Sequence, residues 1–108
     1  MSFRVTLSTP DKTYYDGDAE DLMVPGLSGY FGVLSRHAPM ISAIQTGILT
    51  VHDADGEKLF VVDAGVAEVT GTLVTLLMDE VRPAADAATA GEQLDELLAA
   101  REKSVSGV

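Results

Sequence analysis

The sequence predicts a mainly β fold: a sandwich of about eight to ten short strands with a single short C-terminal α-helix. Three observations predict it. Apolar and polar residues alternate through most of the chain, turn signals recur every eight to twelve residues or so, and the character changes at Pro83, where alanine and spaced leucines take over.

Taking the elements in order, Phe3, Val5 and Leu7 alternate with Arg4, Thr6 and Ser8, the period of two that buries one face of a strand. Asp16, Asp18 and Glu20 then mimic the first half of a calcium loop. The sixth position is Asp21 instead of glycine and the twelfth is Leu27 instead of glutamate, so a solvated turn is expected there rather than a metal site. Residues 22–24, 33–34, 40–44, 48–51, 58–62, 66–69 and 73–78 are the further strand candidates. Asp53-Ala54-Asp55-Gly56 and Gly71-Thr72 are hairpin turns between neighbouring runs.

Residues 25–39, with Gly26, Gly29 and Gly32, Pro25 and Pro39, Tyr30-Phe31 and His37, suit neither a plain strand nor a plain helix. The glycines mark places where the backbone turns, bulges or approaches another surface. Phe31 reads as core, and Tyr30 as a rim residue with its hydroxyl in water or as a rigid aromatic contact of the kind enriched at interfaces.

Past Pro83, Asp86 and Thr89 are N-cap candidates, and Thr89-Ala90-Gly91-Glu92 has the spacing of a capping box. Leu94, Leu97, Leu98 and Arg101 fall on one stripe, with Glu92, Asp95, Glu96 and Glu102 turned away. An amphipathic helix of about three to four turns results. So short a helix is marginal alone in water, because nucleation is costly, and must dock or fray.

Seventeen acidic against seven basic residues give a net charge of −10, which disfavours nucleic acid and anionic lipid, both of which select Lys and Arg. The excess reads as solubility, or as adaptation to high salt. With no cysteine there is neither a disulfide framework nor a thiolate metal site. No apolar run reaches the roughly 18 residues of a membrane span, and the first residues carry no leader pattern, so a cytosolic chain without bilayer insertion is expected. His37 and His52 lack a second ligand at metal spacing, and there is no nucleophile elbow, no phosphate loop and no paired carboxylates in an apolar setting. No metal, no cofactor and no catalytic residue are expected, and the chain reads as a non-enzyme.

The pattern Pro-Gly-x-x-Gly-x-Phe-Gly-Val-Leu-x-x-His-Ala-Pro at residues 25–39 closely resembles the signature of the epsilon subunit of F-type ATP synthases. The resemblance runs from residue 3 to residue 81, through Tyr14-Tyr15-Asp16-Gly17, Gly47-Ile48-Leu49 and Ala64-Gly65-Val66-Ala67-Glu68-Val69. Ala64 stands where the family usually has the first glycine of a pair, and Ser35 where it often has proline.

The resemblance implies a non-catalytic central-stalk subunit of a proton-translocating ATP synthase. It would couple the gamma stalk to the polar loops of the c-ring, peripherally, at the cytoplasmic face of a bacterial inner membrane. It implies a ring-facing surface at Ser28, Gly29, Tyr30, Phe31 and Gly32, with Tyr30 where relatives often carry an acid, and a stalk-facing edge at Thr9, His37 and Ser42. Leu94, Asp95, Leu98 and Ala99 resemble the family's nucleotide-associated motif, but Leu98 replaces its arginine, so no nucleotide site is expected. Residues 1–82 would be the stalk- and ring-binding sandwich, and 83–108 a short helical extension that can reach toward the catalytic head, with a weak or absent inhibitory role. The rival reading is a free-standing β-sandwich module binding a ligand or carrier group, for which Glu57-Lys58 after the Asp55-Gly56 turn is a poor carrier-lysine context.

Overall fold

A computed structural model of the chain describes residues 2–106, with side chains for residues 2–100. In chain order the elements are β1 (Phe3–Thr9), β2 (Lys12–Ala19), β3 (Asp21–Gly26), β4 (Gly29–Leu34), β5 (Met40–Ile44), β6 (Gly47–Asp53), β7 (Gly56–Thr70), β8 (Leu73–Ala84) and α1 (Ala87–Ser106).

Two long strands build both layers of the sandwich. The second half of β7 pairs with β5 and with the first half of β8, which in turn lies parallel to β1 and brings β2 with it. The first half of β7 pairs with β6, which carries β3 and then β4. The layers are therefore β2-β1-β8-β7-β5 and β4-β3-β6-β7-β8, joined along one hairpin. The chain turns between them at Ala64, whose φ of 40° lies in the left-handed region, and at Gly65, where an added Cβ would stand 2.3 Å from the Leu77 carbonyl oxygen.

Alternation puts Phe3, Val5 and Leu7 of β1, Leu22 and Val24 of β3, Leu49 and Val51 of β6, Val62 of β7 and Leu76 and Met78 of β8 into one buried core. Burying a large aliphatic side chain contributes about 1.5–3 kcal/mol, so this set is the main favourable term.

The expected sandwich with a single C-terminal helix is present, and several details differ from the sequence reading. The Asp16–Asp18 stretch is the middle of strand β2, not a turn. Its residues pair with β1 from Thr6 to Arg4, and pairing satisfies the backbone while the acids point to solvent. Residues 25–34 are strand on both sides of a turn at Leu27-Ser28, because Gly26 and Gly29 close a hairpin, and residues 35–39 form the connection to β5. The runs 58–62 and 66–69 are one strand, and the run 73–78 continues to Ala84.

The helix is also longer than expected, 20 residues. It is capped by Asp86 rather than Thr89: the Asp86 carboxylate accepts the Thr89 amide at 2.7 Å and is held below its usual range by that bond. Ala90, Leu94 and Leu97 pack on Val61, with Ile48, Leu59 and Ala84 around it, over the outer face of the β6–β7–β8 layer. Leu98, placed in the stripe from sequence, is 44% exposed at its margin. The Arg101 side chain lies outside the described residues.

Candidate functional site

The β3–β4 hairpin carries most of the residues singled out in the sequence. Pairing brings Gly26 opposite Gly29 and Pro25 opposite Tyr30, and Gly29 takes a φ of 129° that glycine alone adopts without strain. Beyond the hairpin tip the chain meets β5: the Leu27 amide donates to the Ala43 carbonyl at 3.1 Å and the Gln45 amide to the Pro25 carbonyl at 2.9 Å. Between tip and strand lies an open cleft of about 530 Å³, lined by residues 26–31 and 40–43. Ser28, Gly29, Tyr30 and Phe31 thus share one surface with Ser42. Phe31 is half-buried against the core, and the Ser42 hydroxyl donates to the Ala43 carbonyl at 3.1 Å.

Tyr30 is held, not free. The residue is 54% exposed, yet its hydroxyl accepts the Ile48 amide at 3.0 Å, so the oxygen expected in water is spent on the backbone of β6. Gly47 makes room for it: a Cβ there would lie 2.8 Å from that hydroxyl and 2.6 Å from Pro25.

The other sequence-predicted residues are more dispersed. Gly32 sits further along β4 opposite Met23. His37 lies in the β4–β5 connection, its amide donating to the Leu34 carbonyl at 3.1 Å and its Nδ1 2.8 Å from the Ala38 carbonyl. Thr9 ends β1, separated from β5 by β8 and β7. Its neighbour Ser8 shares a cross-strand row with Leu77, Val66 and Ala43. Leu94, Asp95, Leu98 and Ala99 belong to α1: Leu94 faces the sandwich, Leu98 lines a cleft with Leu27, Ile44 and Ala64 at the margin of the docked face, and Asp95 and Ala99 are exposed.

Residues not picked out from sequence complete this surface. Leu27 is 68% and Ile41 73% exposed, and Val66 and Leu77 face each other across β7 and β8 on the outer face of the same layer. A signal for them exists: between Asp21 and Asp53 the only Asp, Glu, Lys or Arg is Arg36, in a chain that is otherwise rich in acids. Such an uncharged, partly apolar surface is what interfaces are made of.

The charged groups gather elsewhere. Asp53, 9% exposed, accepts the Tyr15 hydroxyl at 2.6 Å, both Lys58 Nζ contacts at 3.0 and 3.1 Å and the Asp55 amide at 2.9 Å. The Tyr15 bond and then the Lys58 bond lower its pKa from 3.8 to about 2, while burial and then Asp53 push Tyr15 up. His52 is raised by its 3.0 Å contact with Asp21. Each group has a partner within the sandwich, as a structural network does. No cluster of metal-ligating side chains occurs among the described residues, and none of their helices is long and apolar enough to cross a membrane.

Residues 2–84 match the family model described as ATP synthase, Delta/Epsilon chain, beta-sandwich domain. The ATP synthase epsilon chain of Rhodopseudomonas palustris strain BisA53 is 39% identical over 85 residues, 79% of this chain and 63% of that one. That of strain BisB18 is 33% identical over 106 residues, 98% of this chain and 77% of the relative. The chain therefore spans about 63% of the length of the first of these relatives. Among solved structures, a chain of the Euglena gracilis mitochondrial ATP synthase superposes with a TM-score of 0.72 at 23% identity, over 91% of this chain and 64% of that one, a likeness of fold. Taken with the hairpin and its signature, these matches establish that the chain belongs to the ATP synthase delta/epsilon chain family and carries its β-sandwich domain.

Proposed function

We propose that this chain is a non-catalytic epsilon-type subunit that couples the gamma stalk to the c-ring of a proton-translocating F-type ATP synthase. It would sit peripherally, at the cytoplasmic face of a bacterial inner membrane. The sandwich, residues 1–82, would act as a rigid clamp transmitting torque, with no bond made or broken in it, and residues 83–108 as an extension able to contact the catalytic head. The observation that carries this reading is the uncharged surface at the hairpin end, where Leu27, Tyr30 and Ile41 are exposed together in a chain of net charge −10.

In this reading Ser28, Gly29, Tyr30, Phe31 and Gly32 face the ring loops, and Thr9, His37 and Ser42 face the stalk, with Ile41, Val66 and Leu77 adding apolar area beside Ser42. The family membership supports it, as does the placing of Ser42 on the cleft that the hairpin residues line. Because no charge lines that cleft, contact there relies on apolar packing and neutral hydrogen bonds, where relatives often present an acid. The C-terminal helix is proposed to carry weak or no inhibition and no nucleotide site, since Leu98 cannot supply the guanidinium of the motif.

Co-purification with the gamma subunit and c-ring tests the assignment. Recovery of the tagged chain with both is expected. A chain that is folded but recovered free of both would overturn the coupling role and favour a free-standing binding module.

A further inference from the structure

One edge of β5 is open along most of its length among the described residues. β5 pairs with β7 along its whole length, from Met40 opposite Val69 to Ile44 opposite Gly65. On its other side the only ladder pair among the described residues is Gly26 with Ile44. Two hydrogen bonds fix which groups point to that side. Leu27 donates to the Ala43 carbonyl and Gln45 to the Pro25 carbonyl, so the backbone groups of residues 43 and 45 face β3. Strand alternation then turns the N–H and C=O of Ile41 the same way, while those of Met40, Ser42 and Ile44 serve β7.

The Ala43 carbonyl is already used twice, by the Leu27 amide and the Ser42 hydroxyl. The open rung is therefore the Ile41 N–H and C=O with the Ala43 N–H, and no strand lies on that side of Met40–Ser42 among the described residues. The cleft of about 530 Å³ runs along this rung, walled opposite by Leu27, Tyr30 and Phe31. Edge strands are normally guarded by lysine, an inward charge, a bulge or a cover, because an open apolar edge templates pairing with another chain. Met40-Ile41-Ser42 carries no charge and its β7 register is unbroken.

We infer that this edge receives an extended, uncharged segment of a partner chain, added antiparallel or parallel to β5 through the Ile41 backbone, with apolar side chains seated between Ile41 and the hairpin. Charge matching selects the occupant: a cleft with no ionic group gives a buried charge no partner. The inference rests on the coupling role proposed above and names its mode of contact, strand addition in which main-chain bonds give affinity and alternate side chains give specificity.

Amide hydrogen exchange on the chain alone and in the assembled complex with its gamma subunit and c-ring tests it. The Ile41 and Ala43 amides are expected to exchange quickly in the free chain and to slow by at least about tenfold on assembly. In parallel, Ile41→Pro deletes the outward N–H without touching a β7 bond, whereas Ile41→Ala removes the side chain and keeps it. Loss of co-purification by the proline variant with retention by the alanine variant is the expected result. Co-purification of the wild type with both amides still fast overturns strand addition and leaves the coupling role standing. Wild type that fails to assemble at all overturns both. Should Ile41→Pro melt early, the wild-type exchange data decide by themselves.

Discussion

The Tyr15 hydroxyl donates to the Asp53 carboxylate at 2.6 Å, linking β2 at the edge of one layer to the end of β6 in the other. Lys58 completes the junction from β7, and the Tyr15 ring meets Phe60 edge-on at 6.3 Å. One side-chain network thus ties β2 to β6 and β7, with which it shares no ladder.

The pH dependence of stability follows from this junction. Asp53 falls from 3.8 to about 2 on folding, so its contribution is present above the ordinary carboxylate range and is lost as pH drops through about 2. Tyr15 is raised above its ordinary 10.0, so its contribution is present below that value and is lost as pH rises through the higher folded value. Tyr15→Phe is expected to remove the alkaline loss, reduce the acid one and cost about 1.5–3 kcal/mol at neutral pH, the worth of a hydrogen bond to a charged group. Urea unfolding at acid, neutral and alkaline pH checks it. An unchanged midpoint at neutral pH would mean that the junction is decorative.

Ala64 holds a backbone conformation that suits glycine better. Ala64→Gly is expected to raise stability by about 1 kcal/mol, the order of the left-handed penalty after glycine's extra entropy loss is offset. Gly65→Ala should do the opposite, since its Cβ would meet the Leu77 carbonyl at 2.3 Å. Paired thermal melts of the two variants decide, and a destabilised Ala64→Gly would contradict the reading of the corner.

Tyr30 separates two roles that a single substitution would blur. Tyr30→Phe keeps the ring and removes the acceptor of the Ile48 amide, so faster exchange at Ile48 and a loss of about 1 kcal/mol are expected. Tyr30→Asp puts a charge into a cleft lined without one and is expected to weaken proton pumping by the assembled enzyme while the sandwich stays folded. Normal pumping by the aspartate variant would take Tyr30 out of the ring contact.

The helix is expected to be the least protected element in hydrogen exchange. It rests on the sandwich through Ala90, Leu94 and Leu97 over Val61, a narrow seam for 20 residues. Cutting the chain after Ala84 is expected to leave ATP hydrolysis by the assembled enzyme nearly unchanged, because the docked seam offers no long lever. A several-fold release of hydrolysis would identify the helix as an inhibitor.

Calorimetric titration of the isolated chain with ATP is expected to show weak binding or none. Leu98 is an exposed aliphatic on the motif's face and brings no cation to the phosphates. Micromolar affinity would require a different set of residues.

Local patterns were enough for the strands whose two faces differ. Phe3, Val5 and Leu7 alternate cleanly because one face of β1 is core, and the turns at Ala54-Asp55 and Gly71-Thr72 declare themselves because glycine supplies the positive φ. The glycine-rich signature likewise marked the hairpin and the family. By contrast, β2 was illegible: its burial runs outward along most of its length, and an edge strand with acids at alternate positions looks like a solvated turn until β1 supplies the partner. The corner at Ala64 broke one strand into two apparent ones for a related reason, since a bend between layers interrupts alternation without ending the ladder.

What the sequence determined by itself was the fold class and the family, both of which are written in periodicity and short-range spacing. What only the tertiary structure decided was which residues share a surface. Ser42 and Tyr30 meet across one cleft, Thr9 ends a strand that two others separate from Ser42, Tyr30 turns its hydroxyl to Ile48 instead of water, and Asp86 rather than Thr89 starts the helix. Those facts depend on strand order, register and the competition among partners for each hydrogen bond, which are properties of the assembled sheet and have no local signature in the chain.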